Sequence, residues 1–104
     1  MKSIQIGGRT TVNPEEVVLL VAAINYTIVH YTDGHQTIVA TPLKTLESKF
    51  LPYSFYRTHK SYMVNLHRIK VFQDRQNLLE MSNNQVVVVS RRKREGLKKW
   101  LIDR

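Results

Sequence analysis

The chain has 104 residues and no cysteine. Disulfides, thiolate catalysis and cysteine-ligated zinc are therefore excluded at once. Long apolar runs are also missing. The longest, Val17 to Ile24, falls well short of the ~20 residues that a membrane span needs. The N-terminal residues, Met1 to Gln5, contain no signal-peptide core, so a cytoplasmic location without membrane contact is expected. Glycine and proline are sparse, at 4 and 3 residues, and no Gly/Ser/Pro linker, low-complexity tract or internal repeat divides the chain. A hydrophobic fraction of 42% rules out a disordered polar tail, which could not bury enough surface to fold. One domain over 1–104 is expected, large enough for a core without staples.

Acidic residues are scarce in one half only. Up to Phe55, Lys2, Arg9, Lys44 and Lys49 are balanced by Glu15, Glu16, Asp33 and Glu47. Beyond it, the remaining basic residues meet only Asp74, Glu80, Glu95 and Asp103, so the whole net charge of +8 lies in 56–104. A field this lopsided points to a polyanionic partner, with nucleic acid ahead of an anionic membrane surface.

The patterning is mainly that of short strands. Val17–Ala22 is an apolar run of the buried type. Tyr26–Thr32 alternates and is β-branched, Asp33-Gly34 is a hairpin signal, and Gln36–Ala40 is the returning strand. Thr41 as N-cap and Pro42 at the first helical position open a helix in which Leu43, Leu46, Phe50 and Leu51 recur before Pro52. Further strands are expected over Phe55–Thr58, Tyr62–Asn65, Ile69–Gln73, Leu78–Met81 and Gln85–Ser90. A terminal helix over Arg91–Ile102 carries Leu97, Trp100 and Leu101 on its apolar stripe. Gly7-Gly8 marks a turn. The fold class is mainly β: short antiparallel sheets stacked as an elongated sandwich, with one short internal helix and a C-terminal helix.

Chemistry concentrates in two stretches. Phe55 to Lys70 carries Arg57, Lys60, Arg68 and Lys70, two histidines, three aromatics and no acid. His59-Lys60-Ser61 lies between two strand patterns, a placement suited to polar contacts with a ligand. The alternative is that His59 and Asn65 are paired hydrogen-bonders within a turn. A metal nuclease would need hard oxygen ligands, and 53–73 contains no Asp or Glu. His59 and His67 lack a third ligand at sensible spacing. No Gly-rich phosphate loop and no acid–His–Ser arrangement is present, so no catalytic residue, metal or cofactor is expected. The second stretch, Ser90-Arg91-Arg92-Lys93-Arg94-Glu95, places four cations at a strand–helix junction, where they can meet phosphates or a guanine edge. The alternative is a solvated helix face.

Phe55-x-Arg57-x-His59-Lys60-Ser61-Tyr62-x-Val64-Asn65-x-x-x-Ile69 resembles the signature of the LytTR family, the DNA-binding output domain of many bacterial response regulators. The resemblance extends upstream to Ala23-Ile-Asn25-Tyr26-Thr27, Asp33-Gly34, Leu43 and Leu46. Downstream it extends to Val89-Ser90-Arg91-Arg92 and the closing helix, covering about 15–103. It implies a β fold that binds double-stranded DNA through loops placed in two successive major grooves. It also implies a role in two-component transcription regulation. Carried over by position, the contact residues are Asn25 and Tyr26, then His59, Lys60 and Ser61, then Arg91 and Arg92. Arg57 supports the central loop or meets a phosphate, and Asn65 locks the loop structurally. Paired direct repeats, a homodimer on DNA and an upstream sensor or receiver partner are implied as well. No receiver region or phosphoacceptor lies within 1–104. The competing reading is an RNA-binding module of a translation-associated protein. It would display exposed aromatics for base stacking, with Tyr56, Tyr62 and Phe72 as the candidates. A third reading is a protein-interaction domain that docks on acidic partners.

Overall fold

The computed structural model describes residues 2–103. A hairpin of β1 (Ile4–Gly7) and β2 (Thr10–Val12) leads into β3 (Val17–Ala23), β4 (Tyr26–Tyr31) and β5 (Gln36–Val39). Helix α1 (Leu43–Phe50) precedes β6 (Phe55–His59), β7 (Tyr62–Asn65), β8 (Ile69–Gln73), β9 (Leu78–Met81) and β10 (Val86–Val88), and α2 (Arg91–Asp103) follows. All pairings are antiparallel. The central sheet has the order β5-β4-β3-β7-β6, flanked by the β1-β2 pair and by a three-stranded sheet β10-β9-β8. The expected mainly β class, with helices near 43–51 and 91–102, is what the chain adopts.

Strand β3 is apolar without alternation because both its faces are covered. Val17 and Leu20 belong to one core, built with Ile4, Ile6 and Val12 of the hairpin and Leu43, Leu46 and Phe50 of α1. Val18 and Leu19 belong to a second core on the opposite face, with Leu79 and Met81 of β9, Val87 of β10 and Leu97 of α2. Two neighbours share a face because the register slips between Val17 and Leu19 against Tyr31 and His30. The bulge adds one residue and flips the alternation beyond it. All four side chains are fully buried, and each such burial stabilises by about 1.5–3 kcal/mol.

Three local expectations are corrected. The β1-β2 hairpin was not foreseen beyond its turn at Gly7-Gly8, where Gly8 takes a left-handed φ of 51°. The N-cap of α1 is Pro42, not Thr41. Pro42 is still extended, at ψ 148°, and its carbonyl accepts from the Thr45 and Leu46 amides. The Thr41 carbonyl is already engaged by the Thr27 hydroxyl at 2.6 Å, which holds Thr41 to the sheet rather than the helix. Leu51 lies outside the apolar stripe and is 49% exposed, because the chain tightens to a 3-10 turn over Leu51–Tyr53 around Pro52.

Asn65 has the structural role expected of it. It is buried, its amide donates to the Val17 carbonyl at 2.9 Å, and its oxygen accepts from the His67 amide at 3.0 Å. The end of β7 is thereby tied to the start of β3.

Tyr56, packed against the second core, meets α2 at Lys93 and Gly96. The Tyr56 hydroxyl donates to the Lys93 carbonyl at 2.8 Å, and burial pushes the phenol above its ordinary pKa, so it remains a donor. Glycine inside a helix costs about 0.5–1 kcal/mol relative to alanine. Here a Cβ on residue 96 would lie 2.4 Å from the Tyr56 oxygen. Gly96→Ala therefore lowers stability despite its better helix propensity, by the ~1–3 kcal/mol typical of overpacking. In a Tyr56→Phe background the same change costs clearly less, as measured by urea unfolding of the four proteins. Strictly additive effects would show that the two residues do not meet.

Candidate nucleic-acid interface

The segments singled out by sequence lie at one end of the central sheet. The β3–β4 connection is a two-residue turn, Ile24-Asn25, closed by the Ala23–Tyr26 pair. Asn25 takes a left-handed φ of 64°, a conformation that asparagine tolerates better than most residues. The turn leaves Asn25 exposed, Tyr26 50% exposed and Ile24 85% exposed. The β6–β7 turn, Lys60-Ser61, sits beside it, because the Ala22 amide donates to the Ser61 carbonyl at 2.8 Å. The start of α2 is joined to the same end through the Ser90 amide, which donates to the Thr58 carbonyl at 2.8 Å. Three segments that are distant in sequence are thus fixed together by backbone hydrogen bonds.

Arg57 organises the central turn. Its Nε donates to the His59 carbonyl at 2.9 Å, a terminal nitrogen donates to the Lys60 carbonyl, and the other pairs with Glu47 of α1 at 2.7 Å. The side chain is only 15% exposed. Its planar fork satisfies two carbonyls and a carboxylate together, which a lysine ammonium could not match in geometry. Of the two roles expected for Arg57, this geometry is that of loop support. His59 Nδ1 accepts from the Ser61 amide at 3.1 Å. In the neutral ring that bond places the proton on Nε2, which becomes the donor to any outside acceptor.

The basic run at 91–94 divides into distinct environments. Arg91 and Arg92 are exposed and form no ion pair among the described residues. Lys93 lies over the Tyr56 ring, 5.6 Å from its centroid. Arg94 bonds Asp74 at 2.6 Å, with Lys98 on the same carboxylate at 3.4 Å. The Arg94 hydrogen bond, foremost, holds the Asp74 carboxyl below its ordinary range. Asp74 in turn raises Arg94. Sequence order could not show this division, since Asp74 is 20 residues from Arg94. The first turn of α2 holds no acid. Its cations add to the positive end of the helix macrodipole instead of offsetting it.

Lys44 was missed. It lies on α1, in the half of the chain with balanced charge, yet it lines one open cleft of about 320 Å³ with His59, Lys60 and Arg92. Only the fold, which brings α1 beside the Lys60 turn through the Arg57–Glu47 pair, reveals it. The aromatics that could have served RNA stacking are placed otherwise: Tyr56, Tyr62 and Phe72 pack against the second core. No helix among the described residues is long and apolar enough to cross a membrane.

Comparison with known proteins identifies the family. A family model described as the LytTr DNA-binding domain matches residues 7–102. No curated protein matches the chain. Among solved structures, the chain is similar to the LytTr DNA-binding domain of a putative methyl-accepting/DNA response regulator from Bacillus cereus. The two are 25% identical, the match covers 97% of each chain, and the TM-score is 0.77. With its strand order, its clustered turns and a family match over nearly its whole length, the chain belongs to the LytTR family of DNA-binding domains, which bind DNA in transcription regulation.

Proposed function

We propose that this domain binds double-stranded DNA sequence-specifically in bacterial transcription regulation, placing its two hairpin turns and the start of α2 in successive major grooves. The observation that carries the reading is the convergence of Asn25-Tyr26, His59–Ser61 and Arg91-Arg92 at one end of the sheet, on segments joined by backbone hydrogen bonds. Tyr26, His59 Nε2 and Ser61 supply hydrogen-bonding groups, and Arg92 supplies a planar fork matching the O6/N7 edge of guanine. Lys60 supplies a mobile point charge for a base or a phosphate. The domain acts by binding rather than catalysis and takes no cofactor. It works in the cytoplasm under a sensor or receiver partner. Two copies on direct repeats about one helical turn apart suit a domain whose contacts face one way.

Selection from a random duplex pool tests the reading. It yields a defined motif bound at least about 10³-fold more tightly than random duplex at moderate salt, whereas equal affinity for every duplex would refute it. On that motif Arg92→Ala weakens specific binding roughly tenfold or more and relaxes preference at one position. Lys60→Ala, if the contact is a phosphate, weakens all sequences alike and lowers the salt slope by about one. Arg75→Ala, in the turn after β8, leaves the ratio of specific to random affinity unchanged.

Arg57 is a positioning residue, and Arg57→Lys separates that role from charge. The variant keeps the cation but loses the fork that spans two carbonyls, so specific affinity falls while the salt slope of random-duplex binding stays as in the wild type. A slope lowered by a full unit would instead make Arg57 a phosphate contact.

The cations at the start of α2 oppose the helix dipole, at about 0.3–1 kcal/mol each. Arg91→Gln and Arg92→Gln therefore melt no lower than the wild type without DNA, while losing DNA affinity. A drop in melting temperature without DNA would show that these arginines hold the fold instead.

A further inference from the structure

We infer that the open cleft between α1, the β6–β7 turn and the start of α2 is a seat for one phosphodiester of the DNA backbone, with Lys44 as a contact of its own. The inference rests on the proposed DNA reading and adds to it a site and a residue from outside the basic half of the chain.

Three independent features meet there. The cleft, about 320 Å³, is bordered by Lys44 of α1, Lys60 of the turn, and Arg92 and Lys93 of α2. None of these four cations forms an ion pair among the described residues. The one acid in the lining, Glu47, is already neutralised by Arg57 at 2.7 Å, so the cleft has a cationic excess. Helix α2 also begins at it, with Ser90, Arg92 and Lys93 in the lining, while α1 contributes Lys44 and Glu47. Lys44 is the second residue of α1, and Arg92 the second of α2. These unpaired cations, with the positive end of α2 among them, make a receptor for a compact oxyanion. Carboxylates on flexible side chains could be held too. On a domain whose neighbouring turns meet DNA, however, the anion that comes with fixed spacing is the backbone phosphate.

The position gives the site a consequence. A phosphate held between Lys44 and Lys93 is anchored to α1 and α2 together, leaving Arg92 at the rim for a base edge, so it sets how far the Lys60 turn and the start of α2 enter their groove. Phosphate contacts of this kind fix register and carry no sequence information themselves.

The test uses the whole domain and the duplex recovered by selection, with single linkages replaced one at a time by neutral methylphosphonate. Wild-type binding falls about tenfold at one linkage beside the motif. Lys44→Ala binds more weakly on the unmodified duplex, shows no further fall at that linkage, and has a salt slope lower by about one. Its base preference and melting temperature stay unchanged. A Lys44→Ala protein with wild-type affinity and slope overturns the cleft assignment and leaves DNA binding standing. Absence of any duplex binding by the wild type overturns both. In a parallel arm, inorganic phosphate is titrated against melting temperature. A Lys44-dependent rise accompanied by undiminished duplex binding in the variant also overturns the assignment, making the cleft a seat for free phosphate instead.

Discussion

Everything in this domain hangs on the burial of β3 from both sides. A single strand of seven residues, Val17–Ala23, supplies Val17 and Leu20 to one core and Val18 and Leu19 to the other. The bulge between Val17 and Leu19 lets two adjacent residues serve the same face. Because β3 is central, its neighbours β4 and β7 inherit a fixed register. Their turns, Ile24-Asn25 and Lys60-Ser61, must then emerge side by side. The proposed contact surface is thus a consequence of core packing two to four residues away, and loops of two residues have little freedom to depart from it.

Electrostatics divides the basic residues into those that build and those that reach. Arg57 turns its charge inward, onto Glu47 and two carbonyls of its own hairpin. Arg94 and Lys98 are held by Asp74. Lys60, Arg91 and Arg92 are left without acids, two of them at a helix end where the dipole already repels them. Such an arrangement weakens the free domain slightly and strengthens its field for an anion. Functional surfaces commonly break a local rule in this way.

Much of this was legible in the sequence where physical signals are local. The unbroken Val17–Ala22 run announced a buried strand, and the fold covers both its faces. Asp33-Gly34 announced the β4–β5 connection, realised as a longer loop in which Gly34 takes a φ of 95°. The apolar stripe of Leu97, Trp100 and Leu101 announced the closing helix. Charge counting located the basic half of the chain, and the 55–69 motif located the central turn. What stayed hidden depends on contacts across the fold. Strands of three and four residues at the N-terminus carry too few positions for alternation to register. Thr41 is a good N-cap by type, but its carbonyl is taken by Thr27 across the sheet. The Gly96 position reads as a weakness of α2 until Tyr56 is seen occupying the space of its missing side chain.

The same distinction explains why a loop-based reader can be specific. A turn gains nothing from presenting a base-reading group unless its backbone is already in place, since ordering it on binding would consume the affinity gained. Here the ordering is done in the free protein. The guanidinium of Arg57 bridges residues 59 and 60, the amide of Ser61 fixes the His59 ring, and Tyr56 ties the first turn of α2 to the strand that carries them. Each of these bonds contributes only about a kcal/mol to stability. Together with the Ser90–Thr58 backbone bond they join the central turn to the start of α2. A recognition helix gets such rigidity from its own hydrogen-bonded backbone. This fold obtains it from side chains such as Arg57 and Tyr56, and so Arg57 shapes the surface that Lys60 and Ser61 present.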